Sequence, residues 1–132
     1  MELPQSVKYL REVINKRPVA ILLPGPSIAE LERQIERIKD IDICYATVND
    51  FWIMEDRILS KIGKRLDIVM ASAKECLVPT QQHIDFVSRP DKNCFITEKV
   101  SFHHSYESFM KEYGSKVLLF HADRSALQVS VP

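Results

Sequence analysis

Apolar residues fall into five short runs that are separated by longer segments of mixed polarity. The runs have the length of strands and are rich in β-branched side chains, so they predict strands at 19–23, 41–48, 66–71, 94–97 and 117–120. The first run, VAILL, is apolar at every position. A run of this kind is typical of a parallel strand that is covered on both faces.

The segments between the strands have the periodicity of helices. Apolar residues recur there every three or four positions and predict helices over 4–16, 28–38, 51–62, 79–88 and 105–113. Gly63 stands where a left-handed C-terminal cap is expected. Strands that alternate with crossover helices predict a three-layer α/β/α, Rossmann-like domain with a mainly parallel sheet of about five strands.

Length and composition describe one globular domain. The chain has 132 residues, of which 45% are hydrophobic and 27% are charged, and these values are ordinary for a folded domain. Only residues 121–132 follow the last predicted strand, where an α/β domain normally continues into another helix. We therefore expect residues 1–132 to be a single domain and a fragment of a longer protein.

The charge balance and the cysteines indicate which partners and which cellular compartment to expect. Basic and acidic residues number 18 each, which argues against nucleic acid as the main partner, because phosphate backbones require a concentrated basic face. No apolar run has the length of a membrane span, and the N-terminus lacks the apolar core of a signal peptide. Cys44, Cys76 and Cys94 form no CxxC pair, so we expect reduced thiols in a cytoplasmic protein.

Common phosphate and metal motifs are absent from the sequence. It contains neither G-x-x-x-x-G-K-[ST] nor G-x-G-x-x-G, which excludes the ordinary kinase, GTPase and NAD-binding classes. The four histidines have no spacing such as H-E-x-x-H, and no metal site is predicted. His121, two residues before Asp123, is the candidate for a general base.

The end of the first strand carries the strongest binding candidate, the turn Pro24-Gly25-Pro26-Ser27. Ligands of parallel sheets collect at the carboxyl ends of the strands. Gly25 permits backbone conformations closed to other residues and close approach of a ligand, and Ser27 precedes a helix whose N–H groups favour an anion. The structural alternative is a capping box formed by Ser27 and Glu30, which would satisfy that helix end without a ligand.

Two other strand ends carry polar residues. Asn49 ends the second strand and has an amide that suits a ribose or a base edge, although Asn49 and Asp50 can also cap the next helix. The third strand is followed by Ser72, with Glu75 as the nearest carboxylate. The alternative for this segment is an ordinary polar loop.

These motifs resemble a family of bacterial and archaeal α/β proteins. A strand that runs into GPS and a helix ("AILLPGPSIAELERQIERI"), then a strand that ends in Asn ("ICYATVND"), are similar to motility-associated-factor glycosyltransferase-like proteins and MptE-like 6-hydroxymethyl-dihydropterin pyrophosphokinases. The chain is more distantly similar to bacterial sialyltransferases that use CMP-sialic acid. The resemblance covers residues 18–71 best. The chain departs from the family at Pro24, where glycine is usual, and at Ser72-Ala73, where Asp is frequent.

The resemblance implies a nucleotide pocket. The turn Gly25–Ser27 and Asn49 would line it, with Ser72 beside them and Ser125 approaching from the C-terminal segment. The leading hypothesis is a glycosyltransferase-like domain that binds a nucleotide-sugar of the CMP or UDP type. Its phosphate would lie at the turn, and its ribose or base would lie at Asn49.

Two other functions stay open. One is transfer of diphosphate from ATP to a pterin-like alcohol with Mg²⁺, a reaction that needs carboxylates at the strand ends to hold the metal. The other is a non-catalytic domain of a surface-glycan or flagellin-modification protein, in which the turn is only structural. The sequence alone therefore leaves open whether the chain is an enzyme.

Overall fold

Five parallel strands form the centre of the protein. The computed structural model describes residues 4–49, 51–71, 80–98 and 104–120. The strands are β1 (Val19–Ile21), β2 (Cys44–Val48), β3 (Ile68–Ala71), β4 (Cys94–Glu98) and β5 (Val117–Phe120). Each pairs in parallel with the next, in the order β1-β2-β3-β4-β5. The predicted three-layer α/β/α, Rossmann-like fold is confirmed.

Helices precede the sheet and connect its strands. They are α1 (Gln5–Ile14), α2 (Ile28–Gln34), α3 (Gln81–Val87) and α4 (His104–Tyr113). Between β2 and β3 lies a π-helical segment, Met54–Ile58, which tightens into a 3-10 helix, Leu59–Ile62. This segment ends at Gly63 with φ of 67°, the left-handed cap that the sequence predicts. Across the described ranges, no helix is long and apolar enough to cross a membrane.

The strand order determines which face of the sheet each helix covers. Every connection moves one position in the same direction, so right-handed crossovers place all the connecting helices on one face. That face carries the main core, whose largest fully buried side chains include Ile35, Tyr45, Met54, Phe86 and Phe95. Helix α1 covers the opposite face, where Val13 belongs to a smaller cluster with residues of β2, β3 and β4.

The position of β1 corrects the expectation that this strand is covered on both faces. β1 is an edge strand of the described sheet, and α1 packs mainly over β4 and β5. Val19 is 45% exposed, Ile21 is 53% exposed and Leu23 is 56% exposed. Among the described residues, α1 is the helix that covers the second face, and its position over β4 and β5 leaves the β1 side chains on that face exposed.

The two described cysteines are buried on the α1 face. Cys44 and Cys94 are free thiols with no exposed surface. Burial raises the pKa of each thiol to about 11, which keeps both protonated at neutral pH. Cys76 lies outside the described residues.

Candidate functional site

The turn after β1 lies beside the end of β2. The Leu22 N–H donates to the Ala46 carbonyl at 2.8 Å, and the Thr47 hydroxyl donates to the Leu22 carbonyl, also at 2.8 Å. The chain then leaves the sheet, and residues 23–27 are all exposed. Ile21 pairs with Ala46, so β1 and β2 end side by side at the same edge of the sheet. The turn and Asn49 thus follow the carboxyl ends of two neighbouring strands.

The capping box expected at Ser27 and Glu30 does not form. Ser27 precedes α2 with φ of −86° and ψ of 1°, and its side chain makes no capping hydrogen bond. A capping side chain reaches the helix N–H groups from an extended backbone, and the backbone of Ser27 is not extended. The Glu30 carboxylate instead accepts hydrogen bonds from Arg33 and Gln34.

Several N–H groups at the start of α2 therefore have no partner within the described part of the chain. The Ile28 N–H donates to the Gly25 carbonyl at 3.1 Å, and the Leu31 N–H donates to the Ser27 carbonyl at 3.0 Å. Among the described residues, no acceptor takes the N–H groups of Ser27, Ala29 and Glu30. Such groups at a helix start, together with the helix dipole, favour an anion.

Gly25 has a role different from the one the sequence predicts. Its φ is not positive, so the turn does not use a conformation reserved for glycine. A Cβ atom added at Gly25 would meet nothing within 4 Å. Neither backbone strain nor packing therefore requires glycine here, and the space next to its Cα is open to a ligand.

A groove of about 460 Å³ adjoins the turn. Its floor is formed by residues 21–23, and the α2 side contributes Ser27, Glu30, Leu31 and Gln34. The groove is therefore lined by an apolar strand edge on one side and by polar groups on the other.

Asn49 ends β2 in the left-handed conformation, with φ of 55°. Its N–H donates to the Met70 carbonyl at 2.6 Å, which ties the end of β2 to β3. The expected capping role is wrong, because the π-helical segment begins at Met54, and Ile53 occupies its N-cap. Asp50 lies outside the described residues.

His83 is a buried residue of this region that the sequence analysis missed. It is 1% exposed, and its Nε2 lies 3.4 Å from the Asn49 carbonyl. Thr80 and His83 form a capping box at the start of α3: the Thr80 N–H donates to Nδ1 at 3.2 Å, and the His83 N–H donates to the Thr80 hydroxyl. Since Nδ1 accepts from the Thr80 N–H, Nε2 is the ring nitrogen that can donate to the Asn49 carbonyl. The T-x-x-H spacing is the sequence signal that could have identified this histidine.

Aromatic rings pack around His83, and two other buried polar atoms lack a partner among the described residues. The ring centroids of Trp52 and Phe95 lie 5.5 Å and 4.8 Å from that of His83. Trp52 Nε1 and Thr97 Oγ1 are buried without a hydrogen-bond partner among the described residues. Because buried polar atoms are normally paired, these two mark the ends of β2 and β4 as a partly polar part of the core.

The remaining predicted site residues lie outside the described residues. They are Ser72, His121 and Ser125, and Glu75 and Asp123 lie there as well. Within the described ranges, no group of three His, Cys, Asp or Glu side chains is arranged to hold a metal ion. Of the candidate site residues, the structure therefore describes the Gly25–Ser27 turn and Asn49, with His83 next to the Asn49 carbonyl.

Comparison with known proteins finds no matching family model, no matching characterised protein and no matching solved structure. The function is therefore argued from the site itself.

Proposed function

We propose that this domain binds a nucleotide-sugar of the CMP or UDP type at the carboxyl ends of β1 and β2. The phosphate groups bind at the Gly25–Ser27 turn, and the ribose or the base binds at Asn49. Two things support this hypothesis: the resemblance to glycosyltransferase-like proteins, and the fact that the turn and Asn49 follow the ends of two paired strands.

The observation that carries the proposal is the set of unpaired donors at the start of α2. The N–H groups of Ser27, Ala29 and Glu30 have no acceptor among the described residues, and the Ser27 hydroxyl is exposed. A phosphate accepts several such hydrogen bonds at once. Helical backbone continues from α2 through the 3-10 helix Ile35–Ile38, which aligns further peptide dipoles with the same end.

The local charge is compatible with a phosphate. Glu30 is the only acidic residue in the first turn of α2. Its carboxylate is paired with the Arg33 guanidinium and the Gln34 amide, which lie towards the C-terminal end of the helix. The repulsion between Glu30 and a bound anion is therefore reduced by these partners.

Asn49 is held in place by its backbone. The hydrogen bond to Met70 and the contact between the Asn49 carbonyl and His83 Nε2 tie the residue to β3 and to α3. A residue fixed in this way loses little further freedom when a ligand binds.

Binding is tested by calorimetric titration of the chain with CMP and UDP, and with ATP in the presence and absence of Mg²⁺. We expect CMP or UDP to bind, and Ser27→Ala to weaken binding roughly 10-fold or more, because a hydrogen bond to a charged group contributes about 1.5–3 kcal/mol. Asn49→Asp should also weaken binding, since it replaces the amide that would donate to the ribose or the base with a carboxylate that only accepts hydrogen bonds.

Two variants make the test specific. Gly25→Ala places a methyl group in open space, so it should weaken ligand binding without lowering stability. Ser60→Ala is the matched control, because Ser60 is exposed and its hydroxyl donates to the Asp56 carbonyl within its own helical segment. No binding of CMP or UDP, or equal binding by the Ser27 and Ser60 variants, would contradict the proposal. Binding of ATP alone, dependent on Mg²⁺, would favour diphosphate transfer instead.

A further inference from the structure

The groove beside α2 follows one side of that helix. Ser27, Glu30 and Gln34 line it from the helix, and residues 21–23 line it from the strand. Residues three or four positions apart lie on the same side of a helix, so these three side chains form one row. Gln34 comes seven residues after Ser27, which is about 10 Å along the helix axis. The groove therefore begins at the turn and extends along α2 beyond it.

The groove is separate from the place proposed for the nucleoside. It is lined by residues of β1, of the turn and of α2, whereas Asn49 follows β2. In a UDP-sugar, the diphosphate joins the nucleoside at one end to the sugar at the other. With the phosphates at the Gly25–Ser27 turn and the nucleoside at Asn49, the groove is the space next to the phosphates that is left for the sugar.

We infer that this groove binds the sugar of a UDP-sugar and that Glu30 selects a neutral sugar over an acidic one. The inference rests on the proposed nucleotide site and extends it by naming the class of sugar. It predicts a difference between two UDP-sugars that carry the same nucleotide and differ only in the charge of the sugar.

The size and the lining of the groove fit a sugar. Its volume of about 460 Å³ lies within the range of small-molecule sites. Leu23 and Leu31 contribute apolar surface, and Glu30 and Gln34 contribute hydrogen-bonding groups. A sugar ring has C–H groups on its faces and hydroxyl groups around its rim, so it can contact both kinds of surface.

The Glu30 carboxylate can bind sugar hydroxyls. One of its oxygens accepts a hydrogen bond from the Arg33 guanidinium, and the other accepts one from the Gln34 amide. Each carboxylate oxygen accepts about two hydrogen bonds, so both oxygens can also accept from a hydroxyl group. A hydrogen bond from a neutral hydroxyl to a carboxylate is stronger than one between two neutral groups.

The charge of the groove disfavours an acidic sugar. The Glu30 side chain is 51% exposed, and its cationic partner Arg33 does not line the groove. In the described part of the chain, no other arginine or lysine lines it either. A carboxylate on the sugar would therefore meet the negative charge of Glu30 with no cation in the groove to bind it.

Calorimetric titration with UDP, UDP-glucose and UDP-glucuronate tests the inference. The two UDP-sugars differ only at C6 of the sugar, which carries a hydroxyl group in the first and is a carboxylate in the second. UDP-glucose should bind roughly 10-fold more tightly than UDP, because the hydroxyls of its sugar bond to Glu30 and Gln34. UDP-glucuronate should bind no more tightly than UDP.

Three variants assign the effect to the groove. Glu30→Gln should reduce the difference between the two UDP-sugars to roughly 2-fold or less, because it removes the charge that distinguishes them. Gln34→Ala should reduce the advantage of UDP-glucose over UDP by roughly 3-fold. Glu36→Gln is the matched control, because Glu36 pairs with Lys39 three residues later, as Glu30 pairs with Arg33, but does not line the groove. This control should bind all three ligands like the parent chain.

Failure of the inference can be distinguished from failure of the proposed function. The inference is wrong, and the nucleotide site stands, if UDP binds but UDP-glucose binds no more tightly than UDP-glucuronate. The same holds if Glu30→Gln leaves the difference between the two UDP-sugars unchanged, or if CMP binds and UDP does not. If neither UDP nor CMP binds, the proposed function fails and the inference fails with it.

Discussion

Glu55 offers a sharp test of how the helices are joined to the sheet. This carboxylate is 9% exposed, and it accepts hydrogen bonds from the Leu66 N–H at 2.8 Å and from Arg89 Nη1 at 2.8 Å. It thereby joins the π-helical segment to the chain entering β3 and to the residues that follow α3. Glu55→Ala removes all these contacts at once.

The loss of stability depends on the polar groups that Glu55→Ala leaves without a partner. Arg89, with 17% of its side chain exposed, loses its carboxylate partner, and the buried Leu66 loses the acceptor of its N–H. Removing one partner of a fully buried ion pair costs about 3–5 kcal/mol. Since water can still reach part of Arg89, we expect a loss of about 2–3 kcal/mol. In a domain of this size the melting temperature falls by roughly 6–15 °C.

The contact between Glu55 and Arg89 also predicts that the stability of the protein depends on pH. Burial raises the pKa of Glu55, but the hydrogen bonds from Arg89 and Leu66 outweigh burial and lower the pKa below its ordinary value of 4.5. Because the pKa of Glu55 is lower in the folded protein, the contact stabilises the fold at pH values above the pKa that Glu55 has in the unfolded chain. This stabilisation is lost as the pH falls through the pKa that Glu55 has in the folded protein. The difference in unfolding free energy between the parent chain and Glu55→Gln should therefore shrink below about pH 4.5.

Urea denaturation at pH 7 and at a series of lower pH values measures both effects. Asp91→Asn is the control, because Asp91 pairs with Arg65 on the surface, where both side chains are more than half exposed. Such a pair contributes little. The reasoning fails if Glu55→Ala destabilises no more than Asp91→Asn, or if the difference for Glu55→Gln grows as the pH falls.

Three further predictions use other features of the fold. Gly63→Ala should destabilise the protein by about 1–2 kcal/mol in urea denaturation, because the φ angle of Gly63 is 67°. Gly25→Ala should leave the stability unchanged or raise it by up to about 1 kcal/mol, because the added Cβ meets no other atom. Cys44 and Cys94 should resist thiol labelling at pH 8 until urea is added, as peptide mass spectrometry can measure. Glu30→Gln should tighten nucleotide binding by about 2- to 5-fold in calorimetry, since it removes an acidic group from the first turn of α2.

Local structure was largely predictable from the sequence. The five apolar runs contain the described strands, except that β4 extends one residue further, to Glu98. The apolar stripe predicted over 28–38 contains Ile35, which is fully buried. Gly63 takes the left-handed cap because it follows the last apolar turn of its helix. These features depend on residues close together in the chain, and the periods of the helix and the strand reveal them.

The caps were less predictable. Ser27–Glu30 and Thr80–His83 have the same spacing, yet only the second forms a capping box. The outcome depends on the backbone angle at which the chain enters the helix. At Ser27 that angle is determined by the turn that leaves the edge strand, and at Thr80 it is extended.

The sequence by itself determined the elements and their parallel arrangement, because side-chain periodicity and alternation are properties of the local chain. Only the tertiary structure decided that β1 lies at an edge, that α1 leaves Ile21 exposed, and that His83 approaches the Asn49 carbonyl. An apolar strand has the same sequence pattern whether it lies at the edge or in the centre of a sheet. The position of a strand depends on which strands pair with it. Pairing brings together residues that are far apart in the chain, and local sequence patterns do not reveal those contacts.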